Sequence, residues 1–322
     1  MANYDVFNGD ADGICALQQL RLNDPIESKL ITGVKRDIQL LDRLQVREGD
    51  EVLALDISFD KNRNAVERLL ACGARIRYFD HHYAGEIPKD ERLQINIDTA
   101  SNICTSLIVD RYLEGRNRQW AVVGAFGDNL DDSAYGLAAS LSLPENKLDI
   151  LRELGILINY NAYGIALEDL HFAPDQLYSL LHPFENPLDF IKQTDVFKQL
   201  QQGYNEDMAK ADSVKPDMES DCCAIYVFPS EHWANRVSGV FGNQLASAAP
   251  ARAHAVIIAL DEGGYRISVR APQTTKSGAD ELCRQFPTGG GRKGAAGINQ
   301  LPEELYKDFV EKFQQTFSKK PR

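Results

Sequence analysis

Short apolar runs alternate with helical patterns along the first half of the sequence, and an acidic residue follows each run. This β-α-β-α order predicts a parallel sheet that helices cover on both faces. Ligands of such sheets bind beyond the carboxyl ends of the strands, so the acidic residues should gather where a ligand binds. The predicted strands are residues 4–7, 51–55, 75–79 and 119–126, and the predicted helices between them include residues 14–22 and 61–71.

The side chains that follow these strands are carboxylates and imidazoles, without a thiolate. That donor set suits Mn²⁺ or Mg²⁺ better than structural zinc. Several acids at one sheet edge would repel one another unless cations lay between them. A single aspartate at a strand end is commonly a turn cap, but the whole set predicts a metal site. The set comprises Asp10, Asp12, Asp56, Asp80, His81, His82 and Asp128.

The length of 322 residues favours two domains. Residues 147–203 have a helical pattern, and the polar stretch at 205–220 is interpreted as a linker. We therefore expect a first domain at 1–204 and a second domain at 221–322. For the second domain, the predicted strands are residues 223–228, 253–260 and 265–269, and the predicted helices are residues 239–248, 279–286 and 303–317.

Composition limits the classes of partner and compartment. The net charge of −12 and the pI near 5.0 argue against binding to long duplex nucleic acid, but they allow a short nucleotide. No apolar run approaches the roughly 20 residues of a membrane span, and the first residues do not resemble a secretory signal. None of the six cysteines forms a CxxC pair, which favours free thiols in the cytoplasm.

The motifs resemble those of a known family. Motifs I to IV of the DHH phosphoesterase superfamily match, in order, residues 8–13, 55–58, 79–82 and 124–128. Near the C-terminus, residues 289–297 resemble the glycine-rich signature of the DHHA1 domain, and residues 267–270 resemble its arginine-bearing strand. The sequence thus resembles the two-domain, stand-alone members of the nanoRNase and RecJ-like superfamily. This resemblance implies an N-terminal parallel-sheet DHH domain and a smaller C-terminal α/β DHHA1 domain, with the active site in the cleft between them.

The resemblance implies a phosphoesterase with two metal ions, usually Mn²⁺, with Mg²⁺ as the alternative. Two cations about 3.5–4 Å apart can bind one phosphate, activate a bridging water and stabilise the leaving oxygen. Asp56 would bridge the two ions, and Asp80 would orient His81. The implied ligands of the first ion are Asn8, Asp10 and Asp12, and those of the second are His81 and Asp128.

The resemblance also assigns residues to the substrate. His82 would contact the phosphate and would act with Asp80 in catalysis. Bare backbone N–H groups beside cationic side chains form a cradle for an anion or a nucleotide. The residues implied for this cradle are Gly289, Gly290, Gly291 and Arg292. Arg270, at the end of an apolar strand, would clamp a phosphate.

Two residues depart from the family pattern. Relatives often place an acid where Asn8 stands, and a carboxamide is a neutral, weaker ligand for a hard cation. Relatives usually have histidine where Arg292 stands. Because a guanidinium does not give up its proton in proteins, we interpret Arg292 as a binding residue rather than an acid or base.

The resemblance implies hydrolysis of a phosphodiester in a short nucleotide: a linear dinucleotide such as pGpG or pApA, another nanoRNA, or a cyclic dinucleotide. Removal of the 3′-phosphate from pAp and single-strand exonuclease activity are the enzymatic alternatives. A nucleotide-binding protein with impaired catalysis is the alternative from another class. The sequence leaves open the base identity, the direction of cleavage and the oligomeric state.

Overall fold

The computed structural model describes residues 1–318 and divides into two compact units, Met1–Gln202 and Gly203–Arg322. The strands of the first unit are β1 (Asn3–Phe7), β2 (Lys29–Ile31), β3 (Glu51–Leu55), β4 (Arg75–Asp80) and β5 (Leu93–Ile97). Its helices are α1 (Ala11–Asn23), α2 (Phe59–Ala71), α3 (Thr105–Tyr112), α4 (Arg118–Gly127), α5 (Asp131–Ala138), α6 (Glu145–Ala162), α7 (Pro174–Leu181) and α8 (Pro187–Gln193). Helix α9 (Val196–Ser213) continues past the division of the chain.

The first unit contains a parallel sheet with the strand order β2-β1-β3-β4-β5. The strands predicted at residues 4–7, 51–55 and 75–79 are confirmed, with ends that differ by at most one residue. Their apolar side chains are buried because a parallel sheet is covered on both faces. Since β1, β3 and β4 are neighbours, the residues that follow them meet at one edge.

The strand predicted at residues 119–126 is wrong, because this segment forms helix α4. Every residue from Trp120 to Gly127 is buried, so the helix has no polar side and its sequence has no helical period. Two glycines permit the burial. A Cβ at Gly127 would lie 2.3 Å from the Cβ of Ala11, and a Cβ at Gly124 would lie 2.3 Å from the Oγ of Ser106. This close packing places Asp128, directly after α4, beside the start of α1.

The second unit is built on a mixed sheet with the strand order β10-β11-β9-β8-β7-β6. Its strands are β6 (Met218–Glu219), β7 (Cys223–Phe228), β8 (Ala253–Ala259), β9 (Tyr265–Arg270), β10 (Gly289–Arg292) and β11 (Ala295–Leu301), and its helices are α10 (His232–Ala248), α11 (Ala279–Cys283) and α12 (Tyr306–Ser318). Strands β7, β8 and β9 confirm the three predicted strands. Helix α10 begins seven residues before the predicted start at 239, whereas α11 ends three residues before the predicted end at 286.

The glycine-rich run is a β-strand, which the sequence pattern did not predict. Strand β10 pairs in antiparallel register with β11. The fold requires glycine at two of its positions: a Cβ at Gly289 would lie 1.8 Å from the carbonyl oxygen of Cys283, and Gly291 has a φ of +137°. At Gly290, in contrast, a Cβ would meet no atom of the described residues within 4 Å. The packing of the protein therefore gives no reason for glycine at position 290.

The polar stretch that we interpreted as a linker begins inside α9. Residues 205–213 are helical, and the buried positions of α9 recur every three or four residues, as an amphipathic helix requires. The polar side chains between them form the exposed side of this helix. Among the described residues, no helix is long and apolar enough to span a membrane.

Candidate metal centre

Acidic and imidazole side chains meet where β1, β3 and β4 end. One potential ligand atom from each of Asp12, His81 and Asp128 lies within 4.8 Å of the other two. The same holds for Asp56, His81 and His82, so His81 belongs to both groups. The parallel sheet and the buried helix α4 thus bring together side chains that are more than a hundred residues apart in sequence.

Asp56 occupies a strained backbone position in this group. Its φ is +56°, in the left-handed region that a non-glycine residue enters at a cost of about 1–3 kcal/mol. Its buried carboxylate accepts a hydrogen bond from the Thr105 hydroxyl at 3.0 Å, and His81 Nε2 lies 3.4 Å from the same oxygen. From this position the carboxylate interacts with both His81 and Asp10.

The ring of His81 presents Nε2 to the carboxylates. Its Nδ1–H donates to the carbonyl oxygen of Ile103 at 3.0 Å, and Nε2 lies 3.4 Å from Asp56 and 3.9 Å from Asp128. Metal-binding histidines typically donate their second N–H to a carbonyl or carboxylate in this manner. The carbonyl of Ile103 thus orients this ring, whereas Asp80, which was expected to orient His81, contacts that residue through its backbone N–H.

Asp80 instead orients His82. The fully buried Asp80 accepts from His82 Nδ1 at 2.6 Å and from the backbone N–H of His81 at 2.8 Å. Its other oxygen accepts from the backbone N–H of Phe59 at 3.2 Å, which fixes the carboxylate in place. The side chain of His82 is 43% exposed, and its Nε2 is directed away from Asp80 and is available to a ligand.

The motif I side chains each make protein contacts. Asp10 caps α1 by accepting from the backbone N–H of Gly13 at 3.1 Å, and its second oxygen lies 2.6 Å from Lys35 Nζ. Both oxygens of Asp12 accept from backbone N–H groups of the first turn of α3, each at 2.7 Å. Asn8 accepts from the N–H of Asp10 at 3.2 Å and donates from Nδ2 to the carbonyl of Lys35 at 3.3 Å.

The crowding of buried carboxylates changes the pKa values of the groups in this site. Burial and repulsion by Asp12 and Asp10 raise the pKa of Asp56 well above its ordinary value. Burial and the charge of Asp12 raise the pKa of Asp128 to about 6. Although burial alone would lower it, the hydrogen bond to Asp56 and the surrounding carboxylates raise the pKa of His81 to about 10. Protons thus compensate charge that a divalent cation would neutralise, and the oxygen and imidazole donors fit Mn²⁺ or Mg²⁺.

The structure resembles solved enzymes. It matches the crystal structure of exonuclease RecJ bound to manganese with a TM-score of 0.67 and 15% sequence identity, covering 99% of this chain and 91% of that one. This chain has the fold of RecJ. The RecJ-like fold implied by the sequence motifs is thereby confirmed.

Two further structures share the RecJ fold with this chain. RecJ from Thermus thermophilus in complex with Mn²⁺ matches with a TM-score of 0.60 and 15% identity over 99% of this chain, which spans about half (52%) of that one. The pGpG-specific phosphodiesterase PggH from Vibrio cholerae matches with a TM-score of 0.59 and 13% identity over 99% of both chains. No family model matches the sequence, and no curated protein matches it.

Within the RecJ fold of this chain, the two predicted substrate-binding arginines differ in their surroundings. Arg270 donates to Asn243 Oδ1 at 2.6 Å and to the carbonyl of Gly239 at 3.1 Å, so contacts with α10 hold its guanidinium. Arg292 is exposed, and no side chain or carbonyl among residues 1–318 accepts a hydrogen bond from its guanidinium. Arg292 is therefore the arginine whose donors are available to a ligand.

Sequence reasoning missed four residues of the site. Lys35 contacts Asp10 and Asn159, Thr105 contacts Asp56, and the carbonyl of Ile103 orients His81. Lys35 follows the three-residue strand β2, which the sequence pattern did not predict, and Asn159 lies within α6. A backbone carbonyl has no side-chain signature. Thr105 directly begins α3, and a hydroxyl there is also a common helix-start feature, so it gave no specific signal.

Metal binding should release protons. Asp128 and His81 must lose their protons before they bind a cation, and their pKa values of about 6 and 10 place protons on His81 throughout neutral pH. We expect at least one proton to be released per ion, so Mn²⁺ affinity should rise at least about tenfold per pH unit between pH 6 and 9. Calorimetric titrations in buffers with different ionisation enthalpies measure this number. A binding heat that does not depend on the buffer would contradict the assignment of His81.

Proposed function

We propose that the protein is a metal-dependent phosphodiesterase that hydrolyses short nucleotides. The observation that carries this proposal is the convergence of Asp12, Asp56, Asp128 and His81 Nε2 at one sheet edge. The RecJ fold supports it, and so does the complete mutual coverage with PggH, a phosphodiesterase specific for pGpG. The net charge of −12 favours a short substrate over a long duplex.

We propose Mn²⁺, with Mg²⁺ as the alternative, as the ion held by Asp12, Asp56, His81 and Asp128. When bound, such an ion lowers the pKa of a coordinated water and neutralises charge on the phosphate. The proposed ligands are three carboxylates and one imidazole, and Mn²⁺ and Mg²⁺ bind ligands of these kinds. The sequence prediction of two ions requires that Asp10 and Asn8 hold a second one.

The protein's own residues have separate roles in this proposal. The Thr105 hydroxyl and the backbone strain hold Asp56 in position, and the carbonyl of Ile103 keeps His81 Nε2 directed at the carboxylates. Asp80 holds the ring of His82 so that Nε2 can donate to a phosphate oxygen. Removing a preorganised donor of this kind typically lowers turnover by about 10²–10³-fold.

We further propose that residues of the second unit bind the remainder of the nucleotide. Arg292 offers an exposed guanidinium, which suits bidentate contacts with phosphate or a base edge. Gly289, Gly290 and Gly291 precede it in the edge strand β10. Arg270 supports this region from the neighbouring end of β9 through its contacts with α10.

Gly290 permits a test of substrate proximity, because the protein itself does not require glycine there. Gly290→Ala should leave the melting temperature unchanged but raise the KM for pGpG if the nucleotide lies against the β10 backbone. At Gly136, in α5, an added Cβ would likewise meet nothing within 4 Å among the described residues outside its own helix, so Gly136→Ala is the matched control. Steady-state kinetics on both variants make the comparison. An unchanged KM in Gly290→Ala would show that the substrate does not approach this residue.

The function itself is tested with a panel of nucleotides. The protein is incubated with pGpG, pApA, short RNA, a cyclic dinucleotide and pAp, each with Mn²⁺, with Mg²⁺ and with EDTA, and the products are identified. We expect nucleoside monophosphates from the linear dinucleotides with Mn²⁺ and no products with EDTA. Release of inorganic phosphate from pAp alone would identify a monoesterase. Tight nucleotide binding without turnover in any condition would identify a binding protein.

A further inference from the structure

Lys35 is held in the metal centre by its backbone. Its N–H donates to the carbonyl of Ala162, in the last turn of α6, at 3.0 Å. Its own carbonyl accepts from Nδ2 of Asn8 at 3.3 Å. An aspartate at position 8 could not make this second contact, because an ionised carboxylate has no donor. The departure from the family pattern at Asn8 is thus linked directly to the position of Lys35.

The ammonium group of Lys35 is in contact with groups that bind cations. Its Nζ is 2.6 Å from Asp10 Oδ2 and 2.8 Å from Oδ1 of the buried Asn159. It also lies over the ring of Tyr163, 5.4 Å from the centroid. A carboxylate, an amide oxygen and an aromatic face are three groups that bind a cation. The part of the site around Asp10 therefore already contains a positive charge, that of Lys35.

A divalent ion at Asp10 would have to displace this ammonium group or lie against it. The two positive charges would repel each other at such a distance. At position 8, where relatives often have an acid, this chain has a neutral amide. The part of the site around Asp10 therefore lacks a negative charge from position 8 that would offset this repulsion. The ammonium group makes its hydrogen bonds to Asp10 and Asn159, and it interacts through its charge with Asp128 of the other donor group, Asp12, His81 and Asp128.

We propose that Lys35 replaces one of the two metal ions, so that the site binds a single divalent ion and uses the ammonium group as its second positive charge. This inference rests on the proposed phosphodiesterase function. An ammonium group has three N–H donors. Asp10 and Asn159 accept two of them, and the third can donate to a non-bridging phosphate oxygen of the substrate.

The test counts manganese ions. Calorimetry gives the number of Mn²⁺ ions per chain, and electron paramagnetic resonance distinguishes an isolated Mn²⁺ from an exchange-coupled pair. We expect the wild type to bind one isolated ion. The double variant Asn8→Asp/Lys35→Met restores the acid and removes the ammonium group, so it should bind a coupled pair. Lys61→Met, which removes an exposed lysine of α2, is the matched control and should behave as the wild type.

Turnover gives an independent readout. Lys35→Met should retain its single ion but lose roughly a hundredfold or more in kcat on pGpG, because a preorganised charge beside the phosphate is absent. A coupled pair of ions in the wild type would overturn the role of Lys35 and leave the phosphodiesterase proposal standing. Absence of bound Mn²⁺ from the wild type would overturn both. The wild-type measurement decides the question even if the double variant does not fold.

Discussion

Asp56→Asn should abolish both manganese binding and hydrolysis of pGpG. Asp56 interacts with both His81 and Asp10, and its carboxylate carries the charge that a bound ion requires. A bound cation contributes several kcal/mol of transition-state stabilisation, so kcat/KM should fall by at least about three decades, at about 1.4 kcal/mol per decade. Metal analysis after gel filtration and steady-state kinetics measure the two effects.

The same variant should make the metal-free protein more stable. Because burial and the neighbouring Asp12 and Asp10 raise the pKa of Asp56, its ionised form costs stability at neutral pH, above its ordinary pKa. Asn keeps an oxygen for the Thr105 hydroxyl but removes the charge. The melting temperature without metal should therefore rise, and added Mn²⁺ should no longer raise it. Asp42→Asn, at an exposed position, is the control. A full complement of metal in Asp56→Asn would contradict its role as a ligand.

Arg292→Ala should separate substrate recognition from metal chemistry. Its guanidinium is exposed and lies in a different unit of the chain from the metal ligands. Loss of a desolvated charged contact costs about 2–5 kcal/mol, which corresponds to roughly one and a half to more than three decades of affinity. We expect kcat/KM on pGpG to fall by that amount, while bound Mn²⁺ and slow hydrolysis of bis(p-nitrophenyl) phosphate persist.

Two further variants complete this comparison. Arg292→Lys keeps the charge but loses the planar fork, so its activity on pGpG should lie between those of the wild type and Arg292→Ala. Lys307→Ala removes an exposed cation elsewhere in the second unit and should have no effect. An equal fall on both substrates in Arg292→Ala would mean that this residue acts in the chemical step or in folding.

The elements that were predicted correctly are those whose own residues carry a recognisable pattern. Strands β1, β3 and β4 are short runs rich in apolar residues, and an acid lies at the end of each strand or within three residues after it. Short apolar runs of this kind are recognisable as buried strands. The same rule gives the wrong prediction for helix α4. It is buried on all sides, so it has the composition of a buried strand, and only its ten-residue length favours a helix.

The parts of the site that could not be predicted depend on long-range contacts. Lys35 and Asn159 are 124 residues apart in sequence, and neither belongs to a recognisable motif. The predicted ligands gave the location of the site, but the partner of each side chain depends on packing. Asp80 shows this most clearly: it was expected to orient His81, but it contacts the backbone N–H of that residue and orients the ring of His82, while the carbonyl of Ile103 orients the ring of His81.

The position of manganese in crystals would show whether this sheet edge is the metal centre. Anomalous diffraction at the manganese edge locates the ion without reference to activity. We expect a peak within coordination distance of Asp56, His81 Nε2 and Asp128, with Lys35 remaining on Asp10. A peak elsewhere, or crystals with no ordered manganese at saturating concentration, would contradict the assignment of this sheet edge as the metal centre.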